Sequence, residues 1–315
     1  TMPNYNGVWS LSTQYQYAAT WQADNVPPLQ GNVGLFFGGD NRIEFILIDT
    51  TSDSVDFGDL TTDSEAAGAV ASSTRAVRGG DDQATTVMDF VTIVSRGNAA
   101  DFGDLIETSY GGIGGCGSNT RGLLGGGNVG AGHTNVIQYV TIASAGDATD
   151  FGNLSVARAM TASFSSTTRG VWAGGDPAGA SISNVMDYVT IGSTGNAADF
   201  GDLSAARSLA AGASSATRGL ICNGNESGGA VNKIEYVTIG STGNTTDFGD
   251  ATVTARARGA VSSTIRAVIA GGAATSTDTM DYVTIASTGN ATDFGNLTSS
   301  RASISGASNS HGGIA

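Results

Sequence analysis

The 315-residue chain is long enough for two average domains or one large all-β domain, and 40% apolar content with only four Pro favours a packed, turn-rich fold despite 47 Gly. A net charge of −14, with a single Lys (Lys233) against 13 Arg, sets the surface against phosphate backbones, which excludes nucleic acid and anionic membranes as partners. No apolar run reaches bilayer length and the opening TMPNYNGVWS lacks the basic and apolar regions of a secretory signal, so a soluble chain without membrane insertion is expected.

Residues 1–30 differ in character from the other 285. They hold Tyr5, Trp9, Tyr15, Tyr17 and Trp21, which include two of the three Trp, and their one charge is Asp24. Pro27-Pro28 separates this segment from the remainder of the chain. It reads either as a cap on the fold or as an anchor, because aromatics dominate interface energetics.

From residue 31 onward the chain repeats itself. Asp-Phe-Gly recurs at Asp56, Asp101, Asp150, Asp199, Asp247 and Asp293, spaced by 45, 49, 49, 48 and 46 residues. Each copy parses into four strands. The first is rich in small residues, as in ARAMTASFSS (157–166). The second is short and apolar, Gly170 to Ala173, and Gly174-Gly175 stops it. A polar loop of variable length leads to a third strand, Val185 to Ile191, whose unbroken apolar run suits burial on both faces. The turn STGN (193–196) then opens a fourth strand carrying Phe200. Four antiparallel strands per 40–50 residues describe a propeller blade, and small side chains suit the crowded strand beside the axis. The predicted fold is an all-β, six-bladed propeller over residues 31–315.

The two ends fit each other. The chain finishes on a lone first strand, Arg301 to Ser310, while the first copy lacks that strand and begins at its second, Val33 to Phe37. Pairing them completes the sixth blade and removes the exposed edges of an open array. Residues 312–315 read as surplus tail. Cys116 and Cys222 fall in different blades, where other copies carry small residues, so both are expected as buried free thiols.

The order Arg, small-residue strand, apolar strand, Gly-Gly, variable loop and Tyr-bearing strand resembles the kelch repeat. Gly174-Gly175, Tyr188 and Arg207 carry the match across residues 31–310. The outer-strand Trp of kelch repeats is absent, with Phe200 in its place, and the fifth copy has Asn223-Gly224 instead of Gly-Gly. The wording YVTIASTGNATDFGNL (282–297) and the opening MPNYNGVW (2–9) look like repeated proteins of tailed phages of marine bacteria. That resemblance implies a virion component whose partners are other virion proteins or host cell-surface glycan, and it names no ligand. Sister copies in a homo-oligomer are a further option for the aromatic anchor.

Several motifs are weighed against plain structural roles. Asp-Phe-Gly is a kinase metal signature, but six copies without a phosphate loop point to packing by Phe, a bend at Gly and a turn held by Asp. The acids around it lack the ligand alternation of a calcium loop, so neither metal nor cofactor is expected. Two sets of repeat-locked Arg stand out. One is Arg75, Arg121, Arg169, Arg218 and Arg266, with His311 in the closing copy; the other is Arg158, Arg207, Arg256 and Arg301. They are matched by third-strand acids Glu44, Asp89, Asp187, Glu235 and Asp281, which favours inter-blade ion pairs over recognition of acidic sugars. His133 and His311 lie in different repeat contexts and build neither a metal site nor a triad.

Function is sought where copies differ. Loops between strands two and three, and between the fourth strand and the next blade, share one face and vary most: 128–135, 176–184 and 225–232 against Asp40-Asn41. Candidate ligand contacts there are His133, Asp176, Glu226 and Lys233. A non-catalytic virion binding module is the favoured expectation. A glycan-processing enzyme, which needs two free carboxylates, and an architectural subunit are the alternatives.

Overall fold

The computed structural model describes residues 28–177, 182–274 and 277–314, and among these every regular element is a β-strand. The strands form six four-stranded antiparallel sheets around one axis, with small two-stranded pairings added on blades three to five. The blades are a six-bladed propeller. In the fourth, Ala162–Ser165 lies innermost, followed by Arg169–Ala173, Val185–Thr190 and Ala198–Asp202. The innermost strand is shorter than its sequence suggests: Met160 takes a left-handed φ of 57°, and the preceding Arg158–Ala159 turns away to pair with Asp176–Pro177.

The first blade is closed by the end of the chain. Ser305–Ser308 pairs antiparallel with Val33–Phe37, matching Gly34 to Ser308 and Phe37 to Ser305. Each inner strand then lies against its neighbours on both sides without a gap around the ring. Leu29 extends the fold at its other end, donating its N–H to Val94 O at 2.9 Å and packing on the core between blades one and two.

The repeat supplies the mortar between blades. Each Asp-Phe-Gly places an extra residue in the fourth strand, so Phe turns inward while Gly bulges towards the next blade. The Phe rings meet the third-strand aromatic edge-on, as in Tyr188 and Phe200 at 5.9 Å. A Cβ on Gly152 would lie 2.3 Å from Gly195 O, so only glycine lets the neighbouring turn come this close. The Asn of that turn then clasps the strand: Asn196 Oδ1 accepts from Asn153 N at 3.1 Å, and Asn244 Oδ1 from Asp202 N at 3.0 Å. The Asp of Asp-Phe-Gly does not hold this turn; its side chain is exposed in all six blades.

The first Arg set fills the gaps further along. Arg169 stacks on Tyr188 at 4.6 Å and donates to Ile239 O of the next blade at 3.0 Å, and Arg75, Arg121, Arg218 and Arg266 repeat the arrangement. His311 is not the sixth member. The register of the first blade puts Val33 at that position, and Arg96 from the second blade covers the Phe45 ring instead, at 4.2 Å.

Candidate functional site

The axis is a narrow channel walled by the six inner strands, and its two mouths differ. On the variable-loop face the rim consists of Ala66, Gly112, Met160, Leu209, Ala257 and Ser303, one residue per blade and all with left-handed φ between 52° and 76°. Their backbones join head to tail. Ala66 N donates to Ser303 O, Gly112 N to Ala66 O, Met160 N to Gly112 O, Leu209 N to Met160 O, Ala257 N to Leu209 O and Ser303 N to Ala257 O, at 2.6–3.0 Å. Holding five non-glycine residues in a region that costs about 1–2 kcal/mol each is sustained by this closed ring of bonds. Ile113, Ile304 and Arg258 join the rim around a cavity of about 80 Å³, continuous in its lining with one of about 110 Å³ deeper in.

The opposite mouth, on the face of constant turns, is blocked. Residues 311–314 are not surplus: they lie across it. Gly312 N donates to Ser214 O at 3.0 Å, and Ile314 N donates back to His311 O at 2.9 Å. Beneath them the cavity shrinks to about 50 Å³.

The second Arg set is spent inside the blades. Arg158 holds Asp187 at 3.0 Å, Arg207 holds Glu235 at 2.9 Å and Arg301 holds Glu44 at 3.1 Å, with all six side chains essentially closed to solvent. These pairs lie within single blades, not between them. The cross-blade link runs through the other carboxylate oxygen: Ser155 Oγ of the third blade donates to Asp187 at 2.7 Å, and Thr61 Oγ1 of the first to Asp89 at 2.7 Å. Thr252 repeats this with Asp281, while Thr298 Oγ1 donates to the same Glu44 oxygen that Arg301 holds.

One member of this set departs from the repeat, and two blades contribute no member to it. Arg256 does not take the place of Arg207. It directly precedes the left-handed residue Ala257, whereas Arg158, Arg207 and Arg301 stand two before theirs, so its side chain leaves the pocket and donates to Asn225 Oδ1. Arg258 enters from the channel side and holds Asp281 at 2.7 Å. In the second blade Ser64 stands at the Arg position, and Arg78 reaches in from the second strand, meeting Asp89 at 3.3 Å and Ser64 Oγ at 2.9 Å. The third blade has Tyr110 there and no Arg; its acid is correspondingly Gln138, whose Oε1 accepts from Ile106 N at 2.8 Å. Matching each Arg to its acid blade by blade would have exposed that pairing of absences in the sequence.

The variable-loop candidates fall into two groups. Glu226 and Lys233 belong to one network of the fifth blade: Arg207 bridges Glu226 at 2.9 Å to Glu235, and Lys233 Nζ lies 3.5 Å from Glu235. His133 ends a two-residue strand paired with Asn128 on the third blade, and its Nδ1 is buried without a hydrogen-bond partner. Asp176 pairs with Ala159 on the fourth. Among the described residues no bond joins His133 or Asp176 to the others. Tyr5, Trp9, Tyr15, Tyr17 and Trp21 lie outside the described residues.

Both thiols are buried and free; burial pushes the Cys222 thiol up to about 12 and Cys116 higher still, which makes both inert. Among the described residues no cluster of three or more His, Cys, Asp or Glu is arranged to hold a metal ion, and no helix is long and apolar enough to cross a membrane. No protein-family model matches the chain, and no curated protein sequence matches it.

Proposed function

We propose that this propeller is a non-catalytic binding module of a phage virion, associated with the tail or a fibre, and that it engages an uncharged host-surface glycan on the variable-loop face around the open channel mouth. One observation carries the reading: loop variation is confined to the face opposite the mouth that residues 311–314 block, while the residues common to all blades are consumed by the scaffold. The phage-like wording of residues 282–297 and 2–9 supplies the virion context. The preference for a neutral ligand follows from Arg258, the one charged residue lining the rim among the described residues. Its five N–H groups are taken by Gly271 O, Asn223 Oδ1, Asp281, Ile269 O and Thr279 O. Acid recognition needs a free guanidinium, and a glycosidase needs two free carboxylates, whereas the third-strand acids are each held by an Arg and a neighbouring hydroxyl.

The aromatic segment 1–30 is proposed as the attachment to another virion protein or to sister copies. The experiment is an array of neutral and acidic host-type glycans, probed with the full chain and with a variant in which 128–134 is cut to a two-residue turn like Asp40-Asn41, alongside proteomics of purified virions. Neutral glycans should bind, and the shortened loop should lose binding with Tm unchanged. Binding confined to acidic glycans, equal binding by the loop variant, or absence of the chain from particles would each overturn the reading.

A further inference from the structure

The end of the inner strands carries a second ring, made of side chains. Ser308 Oγ donates to Ser262 O at 2.6 Å, Ser262 Oγ to Ser214 O at 2.9 Å, Ser214 Oγ to Ser165 O at 2.7 Å and Ser165 Oγ to Gly117 O at 2.7 Å. The relay stops there, because Gly117 has no hydroxyl for the next acceptor, Ala71 O. His311 supplies the missing donor: its Nε2 lies 3.1 Å from Ala71 O. The tail comes closest at the same place: a Cβ on Gly313 would fall 1.8 Å from Gly117 O, so only glycine can sit there.

The contacts of His311 dictate its proton. A carbonyl only accepts, so Nε2 carries hydrogen; Nδ1 accepts from Gly313 N at 3.0 Å, so Nδ1 carries none. The ring is held as one neutral tautomer. A second proton can go only to Nδ1, where it would meet the Gly313 N–H and abolish the bond that shapes the tail. Among the described residues no carboxylate lines the cavity to compensate the new charge. The six inner strands bring one titratable group to this cavity, the Cys116 thiol, which is neutral. The charged side chains nearest in sequence to Ala71 and Gly117 are Arg75 and Arg121, both turned onto their own aromatic rings and both cationic.

We propose that residues 311–314 form a proton-released plug of the axial channel, seated while His311 is neutral and expelled once its imidazole takes up a second proton. Burial holds the seated imidazole below its ordinary pKa, so the released tail binds the proton more tightly and acid favours release. An opened plug unblocks the channel at the face of constant turns, frees Ala71 O and leaves Ser214 O with Ser262 Oγ as its remaining donor.

The test uses amide exchange and histidine titration by NMR on the full chain. Between about pH 7.5 and about pH 5, protection of the Gly312 and Ile314 amides, corrected for intrinsic rates, should fall by at least about tenfold. The midpoint should coincide with the His311 titration and lie below the ordinary value of about 6.5. Amides of Ser305–Ser308 should stay protected, because the ring remains closed. In Gly313→Ala the plug should be out already at neutral pH, and His311 should titrate at its ordinary value. In His311→Gln the acid-dependent loss should disappear. Protection that is unchanged across the His311 titration, or that falls equally in His311→Gln or in Ser305–Ser308, would overturn the proposal.

Discussion

Arg258 Nη1 lies 2.7 Å from Asp281 Oδ2 with both side chains closed to solvent, whereas Arg256, two residues earlier, makes no contact with any carboxylate within ion-pair distance among the described residues. Breaking one partner of a buried pair leaves an uncompensated charge, so Arg258→Leu is expected to cost about 3–5 kcal/mol. Arg256→Ala, which removes one hydrogen bond to Asn225, should cost less than about 1.5 kcal/mol. Chemical denaturation of the two variants measures the difference. Equal costs would mean that both arginines serve the same carboxylate.

Closure and plugging are carried by different parts of the tail and should separate. Removing 301–315 takes away the strand 305–308, the Arg301–Glu44 pair and the burial of Ile304 and Ala307. The whole ring is expected to lose stability and cooperativity, seen as a lower and broader thermal transition. Removing 311–315 leaves the pairing with Val33–Phe37 intact and should shift Tm by little. A 301–315 deletion that melts like the full chain would refute closure by joined ends.

Glu65 gives the fold a pH signature. Burial, with the nearby Asp82 and Asp81, raises its carboxyl above the ordinary value. Because the folded pKa exceeds the unfolded one, its charge destabilises the fold above the folded pKa. The penalty vanishes once the pH falls below the unfolded value of about 4.3. Glu65→Gln should therefore melt slightly higher than the parent at about pH 7 and together with it at about pH 4. Since Glu65 remains largely exposed, the gain is small, and a loss of stability at neutral pH would contradict the sign.

Blade number, strand order and end-to-end closure were all legible in the 315 residues. They rest on hydrophobic periodicity and on which strand each terminus lacks, and both are properties of the order of residues alone. The commitment of Arg to acid was legible as a principle, since both recur in phase. Its wiring was not: Arg256 matches the pattern by residue type but sits one position out of phase with the left-handed residue, and a partner is chosen by side-chain direction and reach. Ring-forming left-handed residues were hidden for a related reason. Gly112, Leu209 and Ser303 share no side-chain chemistry, and what they share is a backbone conformation held by bonds to the neighbouring blades.

The tail shows the division most plainly. As sequence, His311-Gly312-Gly313 looks like the beginning of a second strand already supplied elsewhere, because the repeat ahead of it predicts one. That the place is already taken by Val33–Phe37 follows from the chain itself. Where the displaced residues go does not, because it depends on a gap in the serine relay that forms only when six strands from across the chain converge on the axis. Ala71 and Gly117 are ordinary small residues along the chain, and only in three dimensions does the missing hydroxyl of Gly117 leave Ala71 O for His311 to satisfy.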